Sequence, residues 1–353
     1  MSMRMTFRPS AGHKRLRMFV LGAALVAVSA HGARAQTAAK ELFGRTPLPT
    51  VSAPAAHGFY SKGCVAGAVA MPVDGPTWQA MRLERNRRWG HPDMIALLQK
   101  LSREAVQDGW PGLLVGDISQ PRGGPMLSGH ASHQVGLDAD IWLTKMPDRR
   151  LTVSERANVS AVSMLKANSL HVDPEIWSPA HGRLIARAAS YDEVERIFVH
   201  PGIKKAMCDR YGASRANDSW MRKIRPYYGH HYHFHVRIRC PSDSANCRPQ
   251  NTTPPGNGCD GSLDWWFTSE PWAPKKPEPG AKPPKKREIT LAQLPKACSA
   301  VLRGAAPADE SLVTYDTGYK PDLARASAIP VAAVPATDSR LPVIIPVPSP
   351  RPD

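Results

Sequence analysis

Two histidine-bearing stretches, far apart in the chain, restrict the folds open to this sequence more than any other feature. The first covers residues 128–143, SGHASHQVGLDADIWL, where His133 and Asp140 stand seven positions apart and His130 precedes His133 by three. The second covers residues 230–235, HHYHFH, about ninety residues further on. Together they hold six of the thirteen histidines. A hydrolytic zinc takes about three N or O ligands from the protein and keeps one position for water. His133, Asp140 and one histidine of the second stretch make such a set, so the fold has to bring the two stretches together. The plainer alternative is a surface histidine patch that picks up copper or nickel without chemistry.

Local patterning says how each stretch is presented. Residues 136–143 read as a strand whose alternation puts Asp138 and Asp140 on one face and Leu137, Ala139 and Ile141 on the other. Residues 232–240, YHFHVRIRC, alternate strictly, which sets His233, His235, Arg237 and Arg239 on the opposite pleat face from Phe234, Val236 and Ile238. Spacing alone does not choose between Asp138 and Asp140 as the acidic ligand. No HExxH occurs, so a histidine rather than a helix-borne glutamate is the natural base. Further strands are expected at 63–72, 112–119 and 194–199. Helices are expected at 92–105, opened by Pro92, and at 153–167, 179–190 and 201–211. Residues 36–61, rich in Ala and Pro, are expected to wrap the surface.

The first 35 residues read as a secretory signal peptide: a basic start, an apolar run near 18–30, and Ala33-Arg34-Ala35 as the cleavage site. No later stretch reaches the length of a membrane span. Export makes the even set of cysteines, Cys64, Cys208, Cys240, Cys247, Cys259 and Cys298, a disulfide framework with Cys240 and Cys247 the easiest local pair. A structural zinc site is the weaker reading, because no CxxC pair occurs. The formal charge is +16, but the signal segment carries six Lys and Arg and no acid, which leaves +10. Half of that sits in the Lys/Pro-rich linker 271–287, a pattern of solvated chain rather than of nucleic-acid binding. The expected plan is a catalytic domain at 36–270, that linker, a segment 288–303 tethered by Cys298, and a disordered Pro/Ala-rich tail 304–353.

Four motifs, SGHASHQVGLDADIW, RRWGHPDM, RIFVHPGIKK and HFHVRIRCP, resemble those of the penicillin-insensitive murein endopeptidases, zinc enzymes related to the lysostaphin and D-Ala-D-Ala peptidase group. The resemblance covers about residues 41–298. It implies a single α+β zinc-peptidase domain, with a central antiparallel sheet flanked by helices and stapled by Cys64–Cys298, Cys208–Cys259 and Cys240–Cys247. It implies zinc on His133, Asp140 and His235, with His130 and His171 as further metal contacts. His233 would serve as base or proton shuttle and His230 as a substrate or transition-state contact. Asn168 stands where relatives can carry a metal-binding Asp, and a neutral amide is the poorer ligand. The implied substrate is the D-alanyl–meso-diaminopimelyl cross-link of peptidoglycan in the periplasm, with a homodimer left open. Chemistry without a serine nucleophile would leave β-lactams nothing to acylate. Arg122, Trp89 and Arg237 are expected to grip the carboxylates and glycan of that substrate. Two other readings stand beside this one: a zinc carboxypeptidase trimming terminal D-Ala, and a non-catalytic zinc module that binds the wall. Intact His233 and His230 speak against the silent module.

Overall fold

The computed structural model describes residues 37–274 and 288–316. The expected signal peptide, most of the linker and the tail beyond residue 316 lie outside them. The frame is a seven-stranded sheet. Its order is Ile224–Pro226, Val194–Val199, His233–Ile238, Asp138–Trp142, Leu113–Val115, Trp78–Ala80 and Asp74–Gly75. The four central strands are antiparallel, as expected, and the sheet as a whole is mixed. Ile224–Pro226 runs parallel to Val194–Val199, and Trp78–Ala80 parallel to Leu113–Val115. Each parallel pair is joined by a crossover containing a helix, Pro201–Tyr211 in one case and Pro92–Ala105 in the other. Parallel neighbours cannot be linked by a tight hairpin, so the long connections and the mixed edges come together.

The centre of the sheet gives the site its geometry. His235 lies directly opposite Asp140, Arg237 opposite Asp138, and His233 opposite Trp142. Cross-strand partners share a face, so the acids and the histidines of the two stretches project to the same side. The other side carries Leu137, Ala139, Ile141, Phe234 and Val236. These join Ile95, Leu98 and Leu101 of Pro92–Ala105 and Leu184 and Ile185 of Pro179–Ser190 in the main core. Every residue of His233–Ile238 is buried, the polar alternates included. The pattern HFHVRI is therefore an interior strand with one chemical face, rather than a half-solvated one.

The structure differs from expectation in four places. The helix expected over 153–167 stops at Asn158. Arg82 takes the carbonyls of Ala157 and Val159, and the amide of Met164 is drawn to the carbonyl of His231, 2.8 Å away. The single strand expected at 63–72 is two, Lys62–Ala66 and Val69–Ala70, parted at Gly67, whose φ of +55° and approach to Ser52 leave no room for a side chain. The stretch 36–61 does more than wrap: it contains the helix Ala39–Gly44, with Phe43 fully buried, and the strand Ala55–Phe59 paired to Lys62–Ala66. Residues 304–316 are packed rather than disordered. Glu310 pairs with Arg88, Thr314 bridges Ala70, and Val313 is buried against Trp89. All three disulfides form as the resemblance implies.

Candidate metal centre

The loop between Leu113–Val115 and Asp138–Trp142 folds back over the strand face and delivers His130 and His133. His133 holds a left-handed backbone, φ +65°, and Gly136 follows at +70°, where a Cβ would lie 2.9 Å from the His91 amide. His230 is likewise left-handed, at +53°. Two non-glycine residues in that region, each packed against the His235 ring, are strain held by the surrounding fold, a usual mark of a functional site. The rings interlock: His130 to His133 4.2 Å between centroids, His133 to His235 4.5 Å, and His230 to His233 4.9 Å.

Each of three imidazoles is fixed by a partner on its far side. His133 Nδ1 donates to the carbonyl of Ile118 at 2.7 Å. His235 Nε2 donates to Asp138 Oδ1 at 2.8 Å, and His130 Nε2 to Asp117 Oδ2 at 3.0 Å. These bonds set the tautomers, so each remaining ring nitrogen carries a lone pair. All three lone pairs face Asp140. His133 Nε2 and His235 Nδ1 both stand 3.4 Å from Oδ1, and His130 Nδ1 3.5 Å from Oδ2. His133 Nε2 and Asp140 Oδ1 are buried and make no hydrogen bond among the described residues. Acceptors that converge in a dry interior repel one another unless a cation lies among them. His130, His133 and Asp140 form a group with the reach to hold a metal ion, and His235 points its lone pair at the same carboxylate oxygen. Locked far-side nitrogens are how metal-binding histidines are oriented. The residues fit a metal.

Electrostatics agree. Burial pushes Asp140 up, but His233, His133 and His130 outweigh it and hold the carboxyl well below its ordinary range. Asp138, fully buried, is held down in the same way by Arg237 and His235. Burial lowers His235, and the two aspartates more than reverse it, so the ring attracts positive charge. His233 is placed differently. Its Nε2 is 3.6 Å from Asp140 Oδ1, yet its Nδ1 is buried with no hydrogen-bond partner among the described residues. Burial lowers it to about 4 and His230 to about 3, so both are neutral near pH 7. His230 Nδ1 donates to the Tyr228 carbonyl at 2.7 Å, which leaves its Nε2 as a lone pair.

The remaining expected site residues are located elsewhere. His171 is exposed and stacks on Phe267, 5.1 Å between centroids, with no ring contact to the cluster. Asn168, three positions before it, is left-handed at φ +54°. Arg122 is buried and gives its donors to the carbonyls of Leu48, Val301 and Leu302. Trp89 is fully buried, its Nε1 on Asn86 Oδ1. Arg237 clamps Asp138 through Nε at 2.7 Å and Nη2 at 3.3 Å while lying 4.0 Å from the Tyr60 ring centre. All three side chains give hydrogen bonds to groups of the protein itself and so brace the frame. Sequence reasoning missed Asp117, which anchors His130 and is held below its ordinary range against burial by His130, Arg87 and Arg85. The signal was there: an acid ending the apolar run GLLVGD has to be paired inside.

Comparison with known proteins gives the family. A family profile described as penicillin-insensitive murein endopeptidase matches residues 56–303. A Klebsiella pneumoniae protein of that name is 42% identical over 245 residues, which is 69% of this chain and 85% of the relative. One from Yersinia enterocolitica is 41% identical over 255 residues, 72% and 87% of the two chains. One from Pectobacterium atrosepticum is 37% identical over 283 residues, 79% and 96%. The matched region encloses both histidine stretches, their anchoring acids and all three disulfides, and on that ground the chain belongs to the penicillin-insensitive murein endopeptidase family.

Proposed function

We propose that this chain is a zinc-dependent, penicillin-insensitive endopeptidase that hydrolyses D-alanyl–meso-diaminopimelyl cross-links of murein, outside the cytoplasm. The observation that carries the reading is the convergence of three tautomer-locked imidazole lone pairs on Asp140, in a chain whose relatives bear the endopeptidase name. His133, Asp140 and His235 are the ligands, with His130 a further contact through Nδ1. A zinc ion there supplies Lewis-acid polarisation of the scissile carbonyl and a water acidic enough to ionise near neutral pH.

The chain's own groups do the rest. His233, beside Asp140 and with no partner for its Nδ1 among the described residues, takes the proton from the attacking water and returns it to the leaving amine. His230, its Nδ1 tied to the Tyr228 carbonyl, presents Nε2 at the substrate side of the same pair of rings. Arg237 and Asp138 keep His235 in register. No described helix is long and apolar enough to cross a membrane. A homodimer finds no support among the described residues.

The test is a digest of purified cross-linked murein by the zinc-loaded protein, read by mass spectrometry with His133→Ala as control. Conversion of dimeric muropeptides to monomers by the active protein alone is the expected result. Release of free D-Ala with dimers intact would move the activity to a carboxypeptidase, and zinc retention with no product would leave a binding module.

A further inference from the structure

The second histidine stretch does not end at the site. Tyr227 packs edge-on against His230 at 5.7 Å and against Tyr228 at 6.0 Å. Tyr228 meets Trp266 at 4.8 Å and Trp272 at 5.4 Å, and Trp265 meets Trp266 at 5.2 Å. Tyr227, Tyr228 and Trp265 keep 52%, 43% and 38% of their surface exposed. Large aromatics left open in a continuous run mark a recognition surface. This run is also fixed. Tyr228 donates its hydroxyl to the Pro271 carbonyl at 2.7 Å, and Trp272 Nε1 donates to the Trp266 carbonyl at 2.7 Å. The Cys208–Cys259 bridge anchors the chain just before the helix Gly261–Asp264 that leads into Trp265. A preformed platform loses little freedom on binding.

We infer that this aromatic run is a glycan subsite: it holds the amino-sugar chain of the substrate polymer while the cross-linking peptide lies in the metal centre. The inference rests on the murein reading above and extends it from the peptide to the carbohydrate. Chemistry selects the occupant. A stem peptide offers methyl groups, carboxylates and amides, with no flat apolar face. A pyranose ring presents a face of C–H groups that stacks on indole and phenol as other flat groups do, its hydroxyls remaining in water. Distance agrees too. Tyr228 is two ring steps of about 6 Å from His230, and three or four extended residues between sugar and scissile bond span roughly 10–14 Å.

The experiment titrates the full protein with peptide-free glycan chains of murein, following tryptophan fluorescence, alongside the variants Tyr227→Ala/Trp265→Ala and Trp265→Phe. Saturable quenching by wild type is expected, weakened about tenfold or more in the double variant and kept by Trp265→Phe, which retains a flat face. Equal binding by the double variant, or none by wild type, overturns the subsite. A second readout compares KM for cross-linked muropeptide dimers with and without their sugars. The sugar-bearing dimer should be favoured by wild type, and that ratio should fall toward one in the double variant; an unchanged ratio counts against the subsite. Failure of wild type to cleave either dimer would instead strike the endopeptidase reading, and the fluorescence titration would still decide the platform.

Discussion

Asp138 and Asp140 are two residues apart on one strand, and the difference between them lies wholly in what stands opposite. Asp140 faces lone pairs; Asp138 faces donors, namely His235 Nε2, the Arg237 guanidinium and the His133 amide at 3.0 Å. A buried carboxylate surrounded by donors is already satisfied, and one surrounded by acceptors is not. That contrast is what favours Asp140 for the proposed metal role and leaves Asp138 to orient. The same reasoning separates the histidines. His133 is fully buried, locked through the Ile118 carbonyl, and aimed at Asp140, whereas the inner nitrogen of His233 has no partner among the described residues. His133→Ala should abolish zinc retention on dialysis against a mild chelator, while His233→Ala should keep the metal and lose turnover by about a hundredfold or more, the usual weight of a positioned acid–base group. Metal analysis and turnover on the same two preparations check this, and equal zinc loss in both would remove the division of labour.

At the scale of elements, two helices begin alike. His91-Pro92 opens Pro92–Ala105 and His200-Pro201 opens Pro201–Tyr211, each histidine turning Nδ1 onto a backbone amide of the first turn, Asp93 at 3.3 Å and Gly202 at 3.1 Å. An imidazole caps this way only while Nδ1 keeps its lone pair. Burial, then His231, lowers His200 from 6.5 to about 4. Between those two values the unfolded chain binds more protons than the folded one, so this contribution is complete above 6.5 and is lost as pH falls toward 4. The loss is on the order of 1–3 kcal/mol. Tm measured from pH 7 to 4 should fall less steeply for His200→Asn, whose amide caps without titrating. Parallel curves would show that the cap does not titrate in this window. Both helices were legible from Pro and apolar spacing, and the two central strands from alternation, because those periods survive burial. Spacing could not separate Asp138 from Asp140, a choice left to the family resemblance, since their surroundings depend on a register that pairs His235 with Asp140 across the sheet. The overlong helix at 153–167 failed for a related reason: Arg82, some seventy residues earlier, claims the carbonyls that would have continued it. Long-range partners leave no local trace.

For the whole molecule, the first and last described segments are joined and the site hangs partly on that joint. Cys64 bonds Cys298 across 234 positions, and Phe43, Leu294 and Val301 pack with them in a small core of their own. Arg122 reaches from the loop before the metal stretch to the carbonyls of Val301 and Leu302, capping the helix Ala297–Arg303. Two residues further, the amide of Gly124 bonds the carbonyl of Gln134, the neighbour of His133, at 2.9 Å. The C-terminal segment thus supports the loop that carries His130 and His133. Closing so long a loop restricts the unfolded chain by about 5 kcal/mol in the chain-entropy treatment, against about 2.5 for a loop as short as that of Cys240–Cys247. Cys64→Ser/Cys298→Ser should therefore lose amide-exchange protection first in residues 289–303 and next in 120–136. The strands Asp138–Trp142 and His233–Ile238 should stay protected, and zinc affinity should fall with the loop. Cys240→Ser/Cys247→Ser should lose less stability and leave 120–136 protected. If the two double variants lost zinc equally, or if 120–136 kept its protection without Cys64–Cys298, the C-terminal segment would be a passenger and the loop would be held by the sheet alone.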